Sequence, residues 1–193
     1  MLNLYNSLKS VVLETANIDS IFSEIGPFKS LNIATLRGNK PKSGLFEYKH
    51  GHLLLSSYDL NMENVKNYVE LIEKYNINCL HVYPSTIHIL CKHLEALKDT
   101  IEIPDIKGIF SSSEILSFED KKLIMNTFKD VILIDEYGQN EHVALGYSIN
   151  YEFYNFIRKY SHIEFIDTGK KCRKNRIFEI VGTGYINELM PLI

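Results

Sequence analysis

The sequence has no apolar run approaching the roughly 18 residues that a membrane-spanning helix needs. Its first ten residues, Met1 to Ser10, hold no basic leader followed by an apolar core. No membrane partner is expected, and the expected location is the cytoplasm. Cysteine is sparse: Cys79, Cys91 and Cys172 are three in number and widely spaced, which excludes a disulfide framework and leaves reduced thiols, two of them in apolar patterns. An excess of charge of one sign is also missing. A net charge of −3, with 23% charged and 45% hydrophobic residues, excludes a disordered chain and speaks against nucleic acid as a partner. Internal repeats and low-complexity segments are absent. At 193 residues the chain can bury roughly 70% of the surface its unfolded form exposes, enough for a substantial core.

Several site chemistries are missing as well. There is no Gly-x-x-x-x-Gly-Lys-Ser/Thr loop for phosphate. Gly182-Thr183-Gly184 begins a nucleotide-loop pattern, but its third glycine would fall at Asn187, so it reads as a turn. His50 with His52, and His88 with Cys91, each lack the third and fourth ligands that zinc requires. Ser85 lies between His81 and His88 without a Gly-x-Ser-x-Gly elbow. An α/β hydrolytic or transferase domain using Ser85 or Ser111 with a histidine is therefore a weaker reading.

What is present is organised in three stretches. Residues 1–60 hold apolar residues spaced by three and four from Leu2 to Ile25, predicting one or two packed amphipathic helices. Strands are predicted over 31–36, 45–48 and 52–56, forming a small β-rich section. Residues 61–148 alternate regularly. Asn61 can cap a helix that runs to Tyr75, and 77–82 reads as a strand. Pro84 can open the next helix, whose apolar face is Ile87, Leu90, Cys91, Leu94 and Leu97. A strand is predicted over 106–110, Ser117 with Asp120 resembles a capping box, and Val131 to Ile134 is a buried strand. Residues 149–193 are β-rich, with strands predicted over 152–157, 163–166 and 177–181. The basic run Lys170, Lys171, Arg173, Lys174 and Arg176 is expected in a solvated hairpin loop. The fold class is α/β: parallel strand-helix-strand units forming part of a layered sheet, followed by a β-rich segment.

In open parallel sheets, ligands bind beyond the carboxyl ends of the strands. Three successive strands here finish in polar clusters: Tyr83-Pro84-Ser85, Ser111-Ser112-Ser113-Glu114, and Asp135-Glu136-Tyr137-Gly138-Gln139-Asn140-Glu141. These clusters are expected to line one rim of the sheet.

With Leu36-Arg37-Gly38, Leu55 to Leu60 and Met190-Pro191-Leu192-Ile193, the same clusters resemble the adenylate-forming, acyl-CoA synthetase-like superfamily. Within it, the resemblance is to the branch holding phenylacetate-coenzyme A ligase and the CapK-like proteins of capsular polysaccharide loci. It implies that Ser112, Ser113 and Glu114 pack along adenine, and that Asp135, Tyr137 and Gly138 hold the base. It further implies that Glu141 is the catalytic carboxylate binding Mg2+ beside the phosphates, and that Tyr83, Pro84 and Ser85 wall the pocket of the acid substrate. The implied reaction joins a small-molecule carboxylate to ATP, giving an acyl-adenylate and pyrophosphate, usually followed by transfer to coenzyme A. AMP-binding and ligase activity follow from the same resemblance.

The family's Ser/Thr/Gly-rich phosphate loop would precede this chain, and its Arg-Tyr-x-Thr-Gly-Asp motif and lysine-bearing domain would follow it. Asp167-Thr168-Gly169 echoes that motif but precedes the Met-Pro-Leu segment. The expectation is a central fragment of the large N-terminal domain, inactive alone, partnered by the missing parts of the same enzyme or by further copies of itself. The alternative is a non-catalytic scaffold that keeps the fold without nucleotide binding.

Overall fold

The structure is a computed structural model that describes residues 5–42, 44–150 and 153–189. The chain divides into two compact units. The sheet unit comprises residues 22–136 and 148–153, and the hairpin unit comprises residues 1–21, 137–147 and 154–193.

In the sheet unit the strands are β1 (Ile33–Leu36), β2 (Phe46–Lys49), β3 (His52–Leu55), β4 (Cys79–Val82), β5 (Gly108–Ser111) and the first part of β6 (Ile132–Gly138). They lie in the order β2-β3-β1-β4-β5-β6. The pairs β3–β1, β1–β4, β4–β5 and β5–β6 are parallel, and β2 is an antiparallel edge strand on β3. Parallel strands covered on both faces are built from continuous apolar runs, and every residue of β5 is buried. The expected strand-helix-strand alternation is present, with α2 (Val65–Lys74), α3 (Pro84–Leu97) and α4 (Phe118–Thr127) between successive strands.

The helix boundaries follow local chemistry. Pro84 occupies the first turn of α3, where its missing N–H leaves no carbonyl unsatisfied, and Ile87, Leu90, Cys91 and Leu94 are its buried face. Ser117 Oγ accepts from the Asp120 backbone N–H at 3.0 Å and donates to Asp120 Oδ2 at 2.6 Å, so the predicted cap forms. Asn61 acts one turn ahead of α2, its side-chain oxygen accepting from Glu63 and Asn64 N–H at 3.0 Å each. The core beside β4 and β5 is aromatic. Phe22 stacks on Phe110 with centroids 4.2 Å apart, and the His81 ring stands edge-on to both. Ile25 fills the space where Gly108 has no side chain.

Three sequence expectations change. The section at residues 31–56 is part of the parallel sheet, because β1 inserts between β3 and β4. The strand expected to end at Ile134 continues to Gly138, so Asp135 to Gly138 lie within β6 rather than beyond it. The stripe of α1 (Leu8–Phe22) is only half packed: Ile21 and Phe22 are buried, whereas Leu8, Val11 and Val12 are exposed.

In the hairpin unit, Leu145 to Tyr147 of β7 (Leu145–Ile149) are followed after residue 153 by β8 (Asn155–Phe156), and the two pair antiparallel. Gly146 is required at that crossing, since a Cβ there would lie 2.9 Å from Phe156 Cδ1. β9 (Ser161–Cys172) and β10 (Asn175–Gly184) form a long antiparallel hairpin. The expected strands at 163–166 and 177–181 are its middle, and the basic run forms its exposed tip. Nearer the base, Asn187 Nδ2 donates to Tyr5 O and Asn6 Oδ1, and Lys9 pairs with Glu188. Met190 to Ile193 lie outside the described residues.

Cys79 and Cys91 are buried free thiols, pushed up to about 12 mainly by burial, and Cys172 is free and exposed. Among the described residues no helix is long and apolar enough to cross a membrane.

Candidate functional site

The connections of the sheet unit reverse between β1 and β4. After β1 the chain moves to β2 and β3 on one side, and after β4 it moves to β5 and β6 on the other. Adjacent parallel strands whose continuations diverge leave a crevice at their carboxyl ends. The residues at those two ends are Arg37-Gly38 and Tyr83-Pro84-Ser85.

The Arg37 guanidinium lies over the Tyr83 ring, 5.3 Å from its centroid, and its Nη2 donates to Ser113 Oγ at 2.8 Å. Gly38 makes this arrangement possible. It has φ +73°, and a Cβ on it would come within 3.3 Å of Tyr83 Cε2. Its N–H is held by Ser57 Oγ at 3.1 Å. Ser113 adopts φ +70°, which is unusual for a residue with a side chain, and presents its hydroxyl to Arg37.

Glu114 ties the second and third rim segments together. Its Oε2 accepts from the Ser85 backbone N–H at 2.9 Å, and its Oε1 accepts from the Ser85 hydroxyl at 3.1 Å. A carboxylate at the first turn of α3 satisfies an N–H that has no partner within the helix and complements the positive end of the helix dipole. Ser85 is thus engaged by a carboxylate, not by a histidine, and the serine–histidine reading gains no geometry here.

Beneath the rim lie polar groups with little or no water. Asp135, 5% exposed, forms an ion pair with Lys121 Nζ at 3.5 Å, linking β6 to α4. The hydroxyls of Ser111 and Ser112, the Nε of Arg37 and the Nε2 of His81 are buried without a hydrogen-bond partner. Burial and, secondarily, the Arg37 charge lower the His81 pKa to about 3, so the ring is neutral. Between α3 and α4, His88 Nδ1 lies 2.6 Å from Asp120 Oδ1. Burial raises the Asp120 pKa, but hydrogen bonds from Ser117 and His88, together with the His88 charge, outweigh it and hold that carboxyl below its ordinary value.

Of the residues singled out in the sequence, the sheet unit brings Tyr83, Ser85, Ser113 and Glu114 into one network. Pro84 and Ser112 are buried within it, and Asp135 sits in its own pair. Tyr137, Gly138 and Glu141 fall in the hairpin unit. There the Tyr137 ring meets Tyr154 and Phe156 edge-on, at 6.4 and 5.8 Å, and Glu141 is half-buried in a turn. Among the described residues no group of three or more His, Cys, Asp and Glu side chains is arranged to hold a metal ion. Arg37 had no assigned role in the sequence reading. Leu36-Arg37-Gly38 enters the sequence argument only as a segment of the resemblance, and it is the insertion of β1 beside β4 that puts the guanidinium on the rim.

No family model matches the chain, and no curated protein matches it. Among solved structures, VinN is similar with a TM-score of 0.47 and 12% identity, over 80% of this chain and 40% of VinN. The complex of VinN with L-aspartate gives a TM-score of 0.45 and 13% identity, over 66% of this chain and 33% of that one. The chain therefore spans between one third and two fifths of the length of these structures.

Proposed function

We propose that this chain supplies the strand-end rim of an ATP-dependent adenylate-forming ligase of the phenylacetate-coenzyme A ligase or CapK-like type, acting on a small-molecule carboxylate. The observation that carries the reading is the joining of two motif segments at the carboxyl ends of parallel strands, through the Ser85–Glu114 hydrogen bonds. The Arg37–Ser113 bond adds the end of β1 to the same network.

In this reading Tyr83 and Ser85 face the acid, Ser112 to Glu114 with Asp135 and Tyr137 take the base of ATP, and Glu141 holds Mg2+. A single protein carboxylate suits that ion, because magnesium keeps waters and takes its remaining ligands from nucleotide phosphates. Coenzyme A would accept the acyl group in the whole enzyme. The 193-residue chain holds no Ser/Thr/Gly-rich loop to stabilise charge developing on the transferred phosphoryl group, so by itself it is expected to bind without turning over.

Calorimetric titration of the folded chain with ATP and Mg2+ tests the reading. Binding that weakens at least tenfold in Glu141→Ala and in Tyr137→Ala supports it. Absence of binding to a chain with a cooperative unfolding transition refutes it and favours the non-catalytic scaffold. Pyrophosphate exchange by the chain alone would overturn the expected inactivity.

A further inference from the structure

We propose that Arg37 is a carboxylate-recognition point at the switch between β1 and β4, and that its guanidinium meets the carboxylate of the small-molecule acid. The inference deepens the ligase reading and rests on it for the identity of the ligand as an acid substrate.

Three features of the rim lead there. The first is an uncompensated cation. Arg37 is half-buried, its one side-chain hydrogen bond goes to a neutral hydroxyl, and its ring partner Tyr83 is neutral. Among the described residues no carboxylate lies within ion-pair distance of it, whereas Lys121 and Arg176 each have one. A guanidinium partly withdrawn from water without an anion loses solvation and gains no charge partner in return.

The second feature is preorganisation. Stacking on Tyr83 and the bond to Ser113 fix the plane of the guanidinium, so a planar bidentate ligand meets a donor fork whose side-chain entropy is already spent. Its Nε is buried without a hydrogen-bond partner, so within the protein the guanidinium is only partly satisfied. Ser113, which accepts from it, and Gly38, which makes room for the Tyr83 ring, both have positive φ.

The third feature is charge count. On the rim, Arg37 is the one cation outside an ion pair among the described residues of the network. Glu114 is a neighbouring anion already held by Ser85, and Asp135 is neutralised by Lys121. One free positive charge beside a fixed negative one matches a singly charged planar group. It disfavours a phosphate carrying two or more charges.

The test is a titration of the 15N-labelled full chain with sodium acetate, succinate and benzoate, against sodium chloride at equal ionic strength, following arginine Nε–Hε and backbone amide resonances. The expected result is a saturable shift at Arg37 Nε–Hε, Gly38 and Ser113 with at least one acid. Arg37→Lys, which keeps the charge but loses the fork, should weaken that affinity about tenfold or more, and Arg37→Met should abolish it. Three outcomes overturn the proposal: no shift beyond the chloride control in the wild-type chain, an unchanged affinity in Arg37→Met, or a rim response to inorganic phosphate without one to any acid. A parallel ATP titration separates the two readings. Arg37-dependent acid binding without ATP binding sinks the ligase and keeps this site, and ATP binding without acid binding does the reverse.

Discussion

His81 stands on β4 with its ring edge-on to Phe22 and Phe110, at centroid distances of 5.4 and 5.0 Å, and its Nε2 has no hydrogen-bond partner. Burial, reinforced by the Arg37 charge, lowers its pKa from 6.5 to about 3. In the unfolded chain the same ring takes up a proton near 6.5. Between those two values the unfolded state binds a proton that the folded state refuses, so stability falls as the pH falls. The slope approaches 1.36 kcal/mol per pH step and integrates to about 2 kcal/mol between pH 6.5 and 4.5, a large part of the 5–15 kcal/mol typical of a domain. The perturbation is His81→Phe, which keeps an aromatic ring among aromatic neighbours and removes the titrating nitrogen. Urea denaturation followed by far-ultraviolet circular dichroism at pH 7.0, 6.0, 5.0 and 4.5 gives the stability of both chains. The wild type should lose about 2–3 kcal/mol more than the variant over that range. At pH 7 the variant should be close to the wild type, because no hydrogen bond is lost. Parallel losses in the two chains would refute the reasoning, since the acid sensitivity would then come from other groups.

Gly108→Ala should destabilise the chain by about 1–3 kcal/mol, because the added Cβ would sit 2.3 Å from Ile25 Cγ2 and 2.5 Å from its Cδ1. Denaturation midpoints should show partial recovery when Ile25→Ala is added, so the two changes couple rather than sum. Ser117→Ala removes the acceptor for the Asp120 N–H and one donor to the Asp120 carboxylate, and should cost about 0.5–2 kcal/mol at pH 7 by the same measurement. Because the folded Asp120 carboxyl titrates below its ordinary value, that difference should be present above about pH 4 and shrink as the pH falls through the folded value.

The parts of the fold that sequence makes legible are those decided within a few residues. Pro84 at the head of α3, Ser117 with Asp120 at the head of α4 and the apolar face from Ile87 to Leu94 are local rules, and the structure follows them. The alternation of helix and strand from Leu60 onward carries enough periodicity to imply a parallel sheet. The position of β1 is not local. Nothing in Ile33 to Leu36 says that its neighbours will be β3 on one side and β4 on the other, and so the rim role of Arg37 stayed hidden. β7 is not legible in the sequence because Gly146, Tyr147 and Ser148 interrupt its apolar character, and the glycine is there to admit the Phe156 ring. The length of β9 and β10 was underestimated for a related reason. Asp167 to Lys171 read as a polar loop, but the ladder resumes beyond a bulge at Thr168 to Lys170, with Lys171 opposite Arg176.

The Glu114 carboxylate has a consequence for what can approach α3. The opening turn of a helix following a parallel strand is ordinarily a landing place for phosphate. Here the protein has seated its own anion on that turn, bound through both oxygens to Ser85. An incoming phosphate would have to evict a tethered competitor of the same sign whose effective concentration is that of a neighbouring loop. The entrance between β4 and β5 is in this sense plugged from within. Under the proposal above, a carboxylate would instead be met at Arg37, the cation outside an ion pair among the described residues of the rim network.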